Sequence, residues 1–300
     1  MREAFIEKRF GAASIGIIEK ADAIIGEYQA QGFVLTLRQL YYQFVARGLL
    51  ENSQKSYKRL GGIISDARLA GMLDWSAIED RTRSIDKPSA WDSPAEIVEA
   101  SASQYQEDLW AGQELRPEVW IEKEALAGVI VPACERWRVT SFACRGYASQ
   151  SAQYEASKRF NSYFRVGQTP VILHLGDHDP SGIDMTRENA AKIELLCRRT
   201  VEVRRLALNM DQVRRYNPPP NPAKMTDARF GGYAKKYGLK SWELDALEPT
   251  VIDRLIDNEI QDMVTQGPWR AAIRLEKRHR KQLEIVAKNW DEAVDHVEGL

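Results

Sequence analysis

The sequence predicts an α/β fold: a mostly parallel sheet with helices on both faces, preceded by an α-helical winged helix-turn-helix segment. Three observations carry this. From Glu118 onward, short apolar runs alternate with amphipathic segments of helix length, the pattern of strand–helix–strand units. Before residue 75 there are three helix-length segments, followed by Gly71-Met-Leu-Asp-Trp75, which reads as the start of a short strand or wing. Between the two parts, residues 84 to 95 hold two prolines and several turn formers, which reads as a linker and divides the chain into 1–90 and 91–300.

Taken in order, the first helix spans Ala12 to Gln31, with Ile15, Ile18, Ala21, Ile25 and Tyr28 near helical spacing and Gly32 as its end. The second runs from Thr36, a good N-cap, to Arg47, and Gly48 closes it. The third covers Ser53 to Ala70 and carries Tyr57, Leu60, Ile63, Ile64 and Ala67. A helix from Ala95 to Trp110 follows. The alternating region then gives strand Glu118 to Glu122 with helix Ala125 to Trp137, and strand Val139 to Cys144 with helix Ser149 to Phe164. Strand Val171 to Leu175 leads to a helix from Ile183 to Arg198, and strand Val201 to Leu208 to helix Asp211 to Tyr216. Asn217-Pro-Pro-Pro-Asn-Pro222 cannot continue a helix or a central strand. A long loop is expected from there to Gly238, and long loops in compact domains tend to be functional. From Thr250 the pattern is helical, with a basic stripe of Arg270, Arg274, Lys277, Arg278, Arg280 and Lys281 that is either solvated or in contact with DNA.

With 44% hydrophobic and 28% charged residues over 300 positions, the chain can bury a sizeable core. A formal net charge of −1 excludes a uniformly basic nucleic-acid binder but leaves room for a local basic face. Such a face is suggested by Arg38, Arg47, Lys55, Lys58, Arg59 and Arg68, opposed between residues 38 and 68 only by Glu51 and Asp66. On a helix-turn-helix these are candidate contacts to the DNA backbone; a solvated helix face carries the same charges. No apolar run reaches the roughly 18 residues of a membrane span, and the N-terminus is too charged for a signal peptide. Cys134, Cys144 and Cys197 form no Cys-x-x-Cys pair, so neither a zinc ribbon nor a disulfide framework is expected, and a reducing cytoplasm is the simplest location.

The most informative stretch is Val171-Ile-Leu-His-Leu-Gly-Asp-His-Asp-Pro-Ser-Gly-Ile-Asp184. A short apolar run of the kind buried in parallel sheets breaks at Gly176. In extended chain, residues i and i+2 share a side, so Asp177 and Asp179 point one way and His178 the other. Two carboxylates at the carboxyl end of a parallel strand make a hard-oxygen site suited to Mg²⁺. The ordinary alternative is a helix cap, which Asp also favours. Glu122 ends its own strand at the same edge; if the two strands are neighbours, Glu122, Asp177 and Asp179 converge. His174, inside the buried strand, reads as a hydrogen-bonded core histidine rather than a ligand.

A glutamate on one strand and Asp-x-Asp on a later one, with the turn Gly-Asp-x-Asp-Pro-x-Gly, resembles the Toprim pattern. Arg38-Gln-Leu-Tyr-Tyr42, ahead of it in a helix-turn-helix segment, is similar to the Arg-x-x-Tyr-Tyr of the topoisomerase VI A subunit and its meiotic break-forming relatives. Glu122-Lys123, Arg145-Gly-Tyr-Ala148, Asp177-His-Asp-Pro-Ser-Gly182 and Trp242-Glu-Leu-Asp-Ala-Leu247 look like family blocks in family order, so the resemblance covers roughly residues 33 to 255. It implies a Mg²⁺-dependent DNA transesterase. Tyr42 would be the nucleophile, leaving a 5′-phosphotyrosyl link, and Glu122, Asp177 and Asp179 would be the metal ligands. Glu122 would alternatively serve as general acid/base, and Arg38 and Lys123 would hold phosphate oxygens. In the family the tyrosine works against the partner subunit's metal site, so a homodimer is implied. Strand passage there needs a separate ATPase subunit, which this chain does not encode. Two other readings compete: a Toprim nuclease that hydrolyses DNA or RNA with Tyr41 and Tyr42 structural, and a non-catalytic DNA-binding protein.

Overall fold

A computed structural model of the chain describes residues 2–79 and 90–298. Helices α1 (Ala12–Gln29), α2 (Leu37–Ala46) and α3 (Gln54–Leu69) follow the expected segments within a few residues. Thr36 and Gln39 cap α2 reciprocally: the Thr36 hydroxyl accepts from the Gln39 N–H, and the Gln39 side chain accepts from the Thr36 N–H. The apolar faces of the three helices share one core around Ile24, Leu40, Phe44, Leu60 and Ile64. The wing is not formed among the described residues. Asp74 accepts from both the N–H and the hydroxyl of Ser76, which winds Trp75–Ala77 into a 3-10 turn, and only a single parallel bridge joins Leu35 to Ile78.

Half of the linker read over 84–95 falls outside the described residues; in the other half, Ser93 caps α4 (Pro94–Gln104). That helix stops before Trp110 rather than reaching it. Trp110 leaves the helical path to become buried, stacking edge-on against Trp269 and donating its ring N–H to the Trp137 carbonyl at 2.7 Å.

The alternating region forms a four-stranded, all-parallel sheet. It is built of β1 (Leu115–Ile121), β2 (Thr140–Ala143), β3 (Thr169–Leu175) and β4 (Glu202–Ala207) in the order β2-β1-β3-β4. Helix α5 (Ala127–Trp137) links β1 to β2, α6 (Gln150–Arg165) links β2 to β3, and α7 (Pro180–Cys197) links β3 to β4. Val119, Ile121, Val171, Leu173 and Leu175 pack on the α5 face, while Trp120 and Ile172 pack with Phe160 and Ile193 on the other. Helices therefore cover both faces, as the near-continuous apolar strands require. Winding runs outward from β1 to β2 in one direction and from β3 to β4 in the other, so it reverses between β1 and β3. In open α/β sheets ligands bind at that reversal, outside the carboxyl ends of the strands.

The rest of the chain wraps this edge. α8 (Met210–Tyr216) ends on Asn217 in a left-handed conformation, and β5 (Asn221–Pro222) pairs antiparallel with β6 (Lys240–Ser241). The long loop expected between 217 and 238 is not all loop: it contains α9 (Phe230–Tyr237). Gly231, Gly232 and two lysines mask its helical pattern, and Tyr233 and Tyr237 anchor it against His178. Then come α10 (Pro249–Met263), packed with α5, α11 (Gln266–Lys288) and α12 (Trp290–Glu298). Among the described residues, no helix is long and apolar enough to cross a membrane.

Candidate active site

The loop after β3 is built under tight steric limits. A side chain at Gly176 would stand 2.9 Å from Glu122 Oε2. A Cβ at Gly182 would stand 2.2 Å from the Asp177 carbonyl oxygen, an overlap with backbone that no rotamer relieves. Arg205 on β4 holds the loop from beneath, donating to the carbonyls of Gly176 (3.0 Å), Asp177 (2.6 Å) and Gly182 (2.8 Å). Gly182→Ala is therefore expected to destabilise the fold by about 3 kcal/mol, the upper end of overpacking costs, seen as a lowered thermal midpoint. Helix α7 begins at Pro180, earlier than the sequence suggests, because proline is preorganised for a first turn and Asp179 caps it by accepting the Gly182 N–H at 2.6 Å. The capping reading of Asp179 is thus realised, while the same residue lines the cavity described below.

The parallel pairing of β1 with β3 sets Glu122 beside this loop. Its Oε2 accepts the Asp177 N–H at 2.9 Å. Asp177 Oδ1 accepts the Leu244 N–H at 2.7 Å, and its Oδ2 lies 2.9 Å from Lys123 Nζ. Lys123 also reaches Glu243 (2.8 Å) and Asp245 (3.0 Å). Arg38, coming from α2, pairs with the same two acids. Glu243 and Asp245 were not singled out as chemical groups by the sequence; the signal was Glu-x-Asp inside the Trp242–Leu247 block. That block is drawn onto the loop by a two-way backbone pairing of Trp242 with His178.

Electrostatics follow from this crowding. Burial pushes the Asp177 pKa up to about 7, with Glu122 and Asp245 adding to the rise and Lys123 opposing it. Burial also raises Glu122. Burial would raise Glu243 too, but Lys123 and Arg38 hold it at about 2. Glu122, Asp177, Asp179, Glu243 and Asp245 outnumber Arg38, Lys123 and Arg205, with the exposed Lys224 at the rim. The cluster is partly buried and offers hard oxygen donors, the donor type that divalent ions such as Mg²⁺ take. As they stand, Glu122, Asp177 and Asp179 engage different partners, and no three His, Cys, Asp or Glu side chains among the described residues surround one point.

A cavity of about 490 Å³ opens above the acids, lined by Arg38, Tyr42, Asp177, Asp179, Asn221 and Glu243 among others. The two tyrosines of α2 have different surroundings. The Tyr41 hydroxyl accepts the Ser53 N–H at 2.8 Å and lies within 3.3 Å of acceptors on residues 51–53, pinning the turn before α3. Both tyrosines are buried and line the cavity; Tyr42 differs in facing the acids and Arg38. Burial raises its phenol pKa, Asp245 and Glu243 raise it further, and Arg38 and Asn221 pull it back.

The candidate DNA contacts divide. Arg47 is paired with Glu27, and Arg68 covers the Trp75 ring at 4.8 Å and bonds its carbonyl. Lys55, Lys58 and Arg59 on α3 are exposed and make no ion pair among the described residues. His178 turns away from the carboxylates, as strand alternation predicts, with Nδ1 2.8 Å from the Tyr233 hydroxyl. His174 is the core histidine expected: fully buried, Nδ1 2.8 Å from Thr186 Oγ1, and its pKa lowered to about 3 by burial and then by Arg205. A depressed histidine contributes stability that is complete above its unfolded pKa and is lost as pH falls. Between pH 6.5 and 4.5 the wild type should therefore lose stability faster than His174→Gln, by up to about 1.4 kcal/mol per pH unit. Thermal melts of the two at several pH values check this; parallel curves would contradict it.

No protein-family model matches the sequence, and no curated protein matches it. Fold and site define the protein by class: an α/β protein whose parallel sheet carries an acidic, tyrosine-lined cavity at the point where its winding reverses.

Proposed function

We propose that the chain cleaves DNA by transesterification at this cavity, as its resemblance to the topoisomerase VI A subunit implies. The single observation that carries the reading is that Tyr42 and Arg38 line the same cavity as Asp177 and Asp179. The Tyr42 oxygen attacks a backbone phosphorus, the bond from phosphorus to the 3′ oxygen breaks, and the products are a 5′-phosphotyrosyl link and a free 3′ hydroxyl. One ester replaces another, so no external energy is needed. The phenol proton passes to a cavity carboxylate. Glu122, held at a raised pKa, returns a proton to the leaving oxygen. Arg38 and Lys123 exchange acidic partners for phosphate oxygens, Arg38 with two parallel donors. Mg²⁺ held by Asp177 and Asp179 would neutralise charge developing on the phosphoryl oxygens.

One observation favours a second reading. Burial and two neighbouring acids raise the Tyr42 pKa, which makes the phenol harder to ionise. In that case the same carboxylates support hydrolysis by water and Tyr42 only packs. The test is supercoiled plasmid with Mg²⁺, stopped with detergent, comparing wild type, Tyr42→Phe and Asp177→Asn. Protein-linked ends lost in both variants support the transesterase; free ends that survive Tyr42→Phe and vanish in Asp177→Asn support the nuclease.

A further inference from the structure

We infer that α11 carries a separate nucleic-acid surface: a stripe of unpaired cations at the amino-terminal edge of the sheet that binds the backbone of duplex DNA, without regard to sequence, away from the candidate active site. The inference goes beyond the cleavage reading and does not depend on it.

The stripe follows from helix geometry. At about 100° per residue, Arg270, Arg274, Lys277 and Lys281 fall within about 60° of one another around α11, with Arg278 beside them. Trp269 and Glu276 are buried on the side that packs on the protein. Between 270 and 281 the exposed residues are those five cations and Ala271. None of the five forms an ion pair among the described residues, whereas Arg280, in the same run, turns to Glu276 and to the Tyr105 carbonyl. Glu276, the one acid in this stretch of sequence, is held by Arg138 and Arg280. On a chain with a formal net charge of −1, this line of cations is a local field suited to a polyanion.

The shape of the stripe selects its partner. From Arg270 to Lys281 the helix rises about 16 Å. Along a duplex that length passes roughly five phosphates of one strand, at ~3.4 Å of axis each, one for each cation. A protein interface needs aromatic or aliphatic anchors at its centre, and a membrane-surface helix needs an apolar face beside its charges. Ala271 supplies neither.

The place of the stripe separates it from the cavity. Gln113 pairs with the backbone of Thr265 in both directions, at 2.7 and 3.1 Å, and Trp269 packs on Trp110. Further along, Glu276 and Arg280 bind Arg138 and Tyr105. These contacts hold α11 where the chain enters β1, whereas Glu122 and Asp177 lie just past the carboxyl ends of β1 and β3. The seven residues of β1, roughly 20 Å of strand, separate the two edges. DNA on the stripe is therefore not the stretch held over the acids.

Fluorescence anisotropy with a short labelled duplex of random sequence tests this across rising salt, without Mg²⁺ so that cleavage plays no part. Arg274→Gln/Lys277→Gln/Lys281→Gln is compared with a charge-matched control, Arg9→Gln/Lys20→Gln/Arg254→Gln, at exposed positions elsewhere. Glutamine is as good a helix former as the residues it replaces, and thermal melts check that both variants stay folded. Each phosphate contact adds about 0.9 to the slope of log K against log salt, so the stripe variant should lose about 2 to 3 of that slope and bind about 10-fold or more weakly near physiological salt. The control should keep the wild-type slope. Equal behaviour of the two variants would overturn the inference, as would a wild type that binds no duplex. A second measurement reads proximity directly: Lys277→Cys and Lys20→Cys are each labelled with a photoactivatable azide, the native Cys134, Cys144 and Cys197 being buried. DNA cross-linked from position 277 and not from position 20 supports the stripe; no cross-link from 277 contradicts it. If wild type binds polyglutamate as tightly as the duplex and the stripe variant loses both, the partner is an acidic protein and the assignment to DNA falls. A protein that binds DNA through the stripe but never cuts it would remove the transesterase reading and leave this inference standing.

Discussion

Tyr42→Phe is expected to lower formation of the protein–DNA adduct by about 10³-fold or more, the scale seen when a catalytic nucleophile is removed. Fold and DNA affinity should be nearly unchanged. The substitution removes one hydroxyl and keeps the ring, which packs 5.5 Å from Tyr41 inside the helical core. Loss of a single buried hydroxyl bond costs about 1 kcal/mol, too little to unfold the chain. Tyr41→Phe should behave in the opposite way. Its hydroxyl takes the Ser53 N–H and fixes the turn leading to α3, so stability falls while adduct chemistry persists. Detergent-stopped cleavage assays beside thermal melts read both effects. Equal loss of adduct in the two variants would show that neither hydroxyl is the specific nucleophile.

Lys123→Met should give the largest change in stability. Its ammonium lies within 3.0 Å of Asp177, Glu243 and Asp245. Removing it leaves Glu243 and Asp245 with Arg38 and takes from Asp177 its direct ion-pair partner, and breaking a buried ion pair from one side typically costs roughly 3–5 kcal/mol. The pH dependence has a definite sign. Asp177 already sits near pKa 7, and losing Lys123 pushes it higher. The deficit is therefore greatest above pH 7, where the carboxylates are charged, and shrinks as pH falls and Asp177 takes up its proton. Denaturant midpoints at pH 8 and pH 5 measure it. A deficit below about 1 kcal/mol at both values would mean that Lys123 is merely a solvated charge.

Some of this architecture was legible because local chemistry dictates it. Val171 to Leu175 reads as a buried strand since both its faces are covered, and Thr36 announces the start of α2. Gly176 ends the run where the strand breaks, although the close approach of backbone at Gly182 shows only in the fold. The acidic edge was legible for the same reason: a carboxylate just past a parallel strand must lie at its carboxyl end. What escaped was set by partners distant in sequence. Arg38 meets acids more than 200 residues away, and Arg205 supports a loop on the neighbouring strand. Nothing local in Glu-Leu-Asp at 243–245 reports that it closes on Lys123. The wing was inferred from an apolar run, but Asp74 competes for the same backbone with a tight turn. The stop of α4 was missed because burial of Trp110 overrode helix propensity.

The central claim is that Tyr42 carries the DNA. Purified protein, Mg²⁺ and plasmid are denatured, the DNA is trimmed with nuclease, and the protein is digested with trypsin. The peptide from Gln39 to Arg47 holds both tyrosines, and tandem mass spectrometry distinguishes them. The account predicts a nucleotide mass on Tyr42, present only with Mg²⁺ and missing in Asp177→Asn. Cleaved plasmid with that peptide unmodified, or with the nucleotide on another residue, would contradict it.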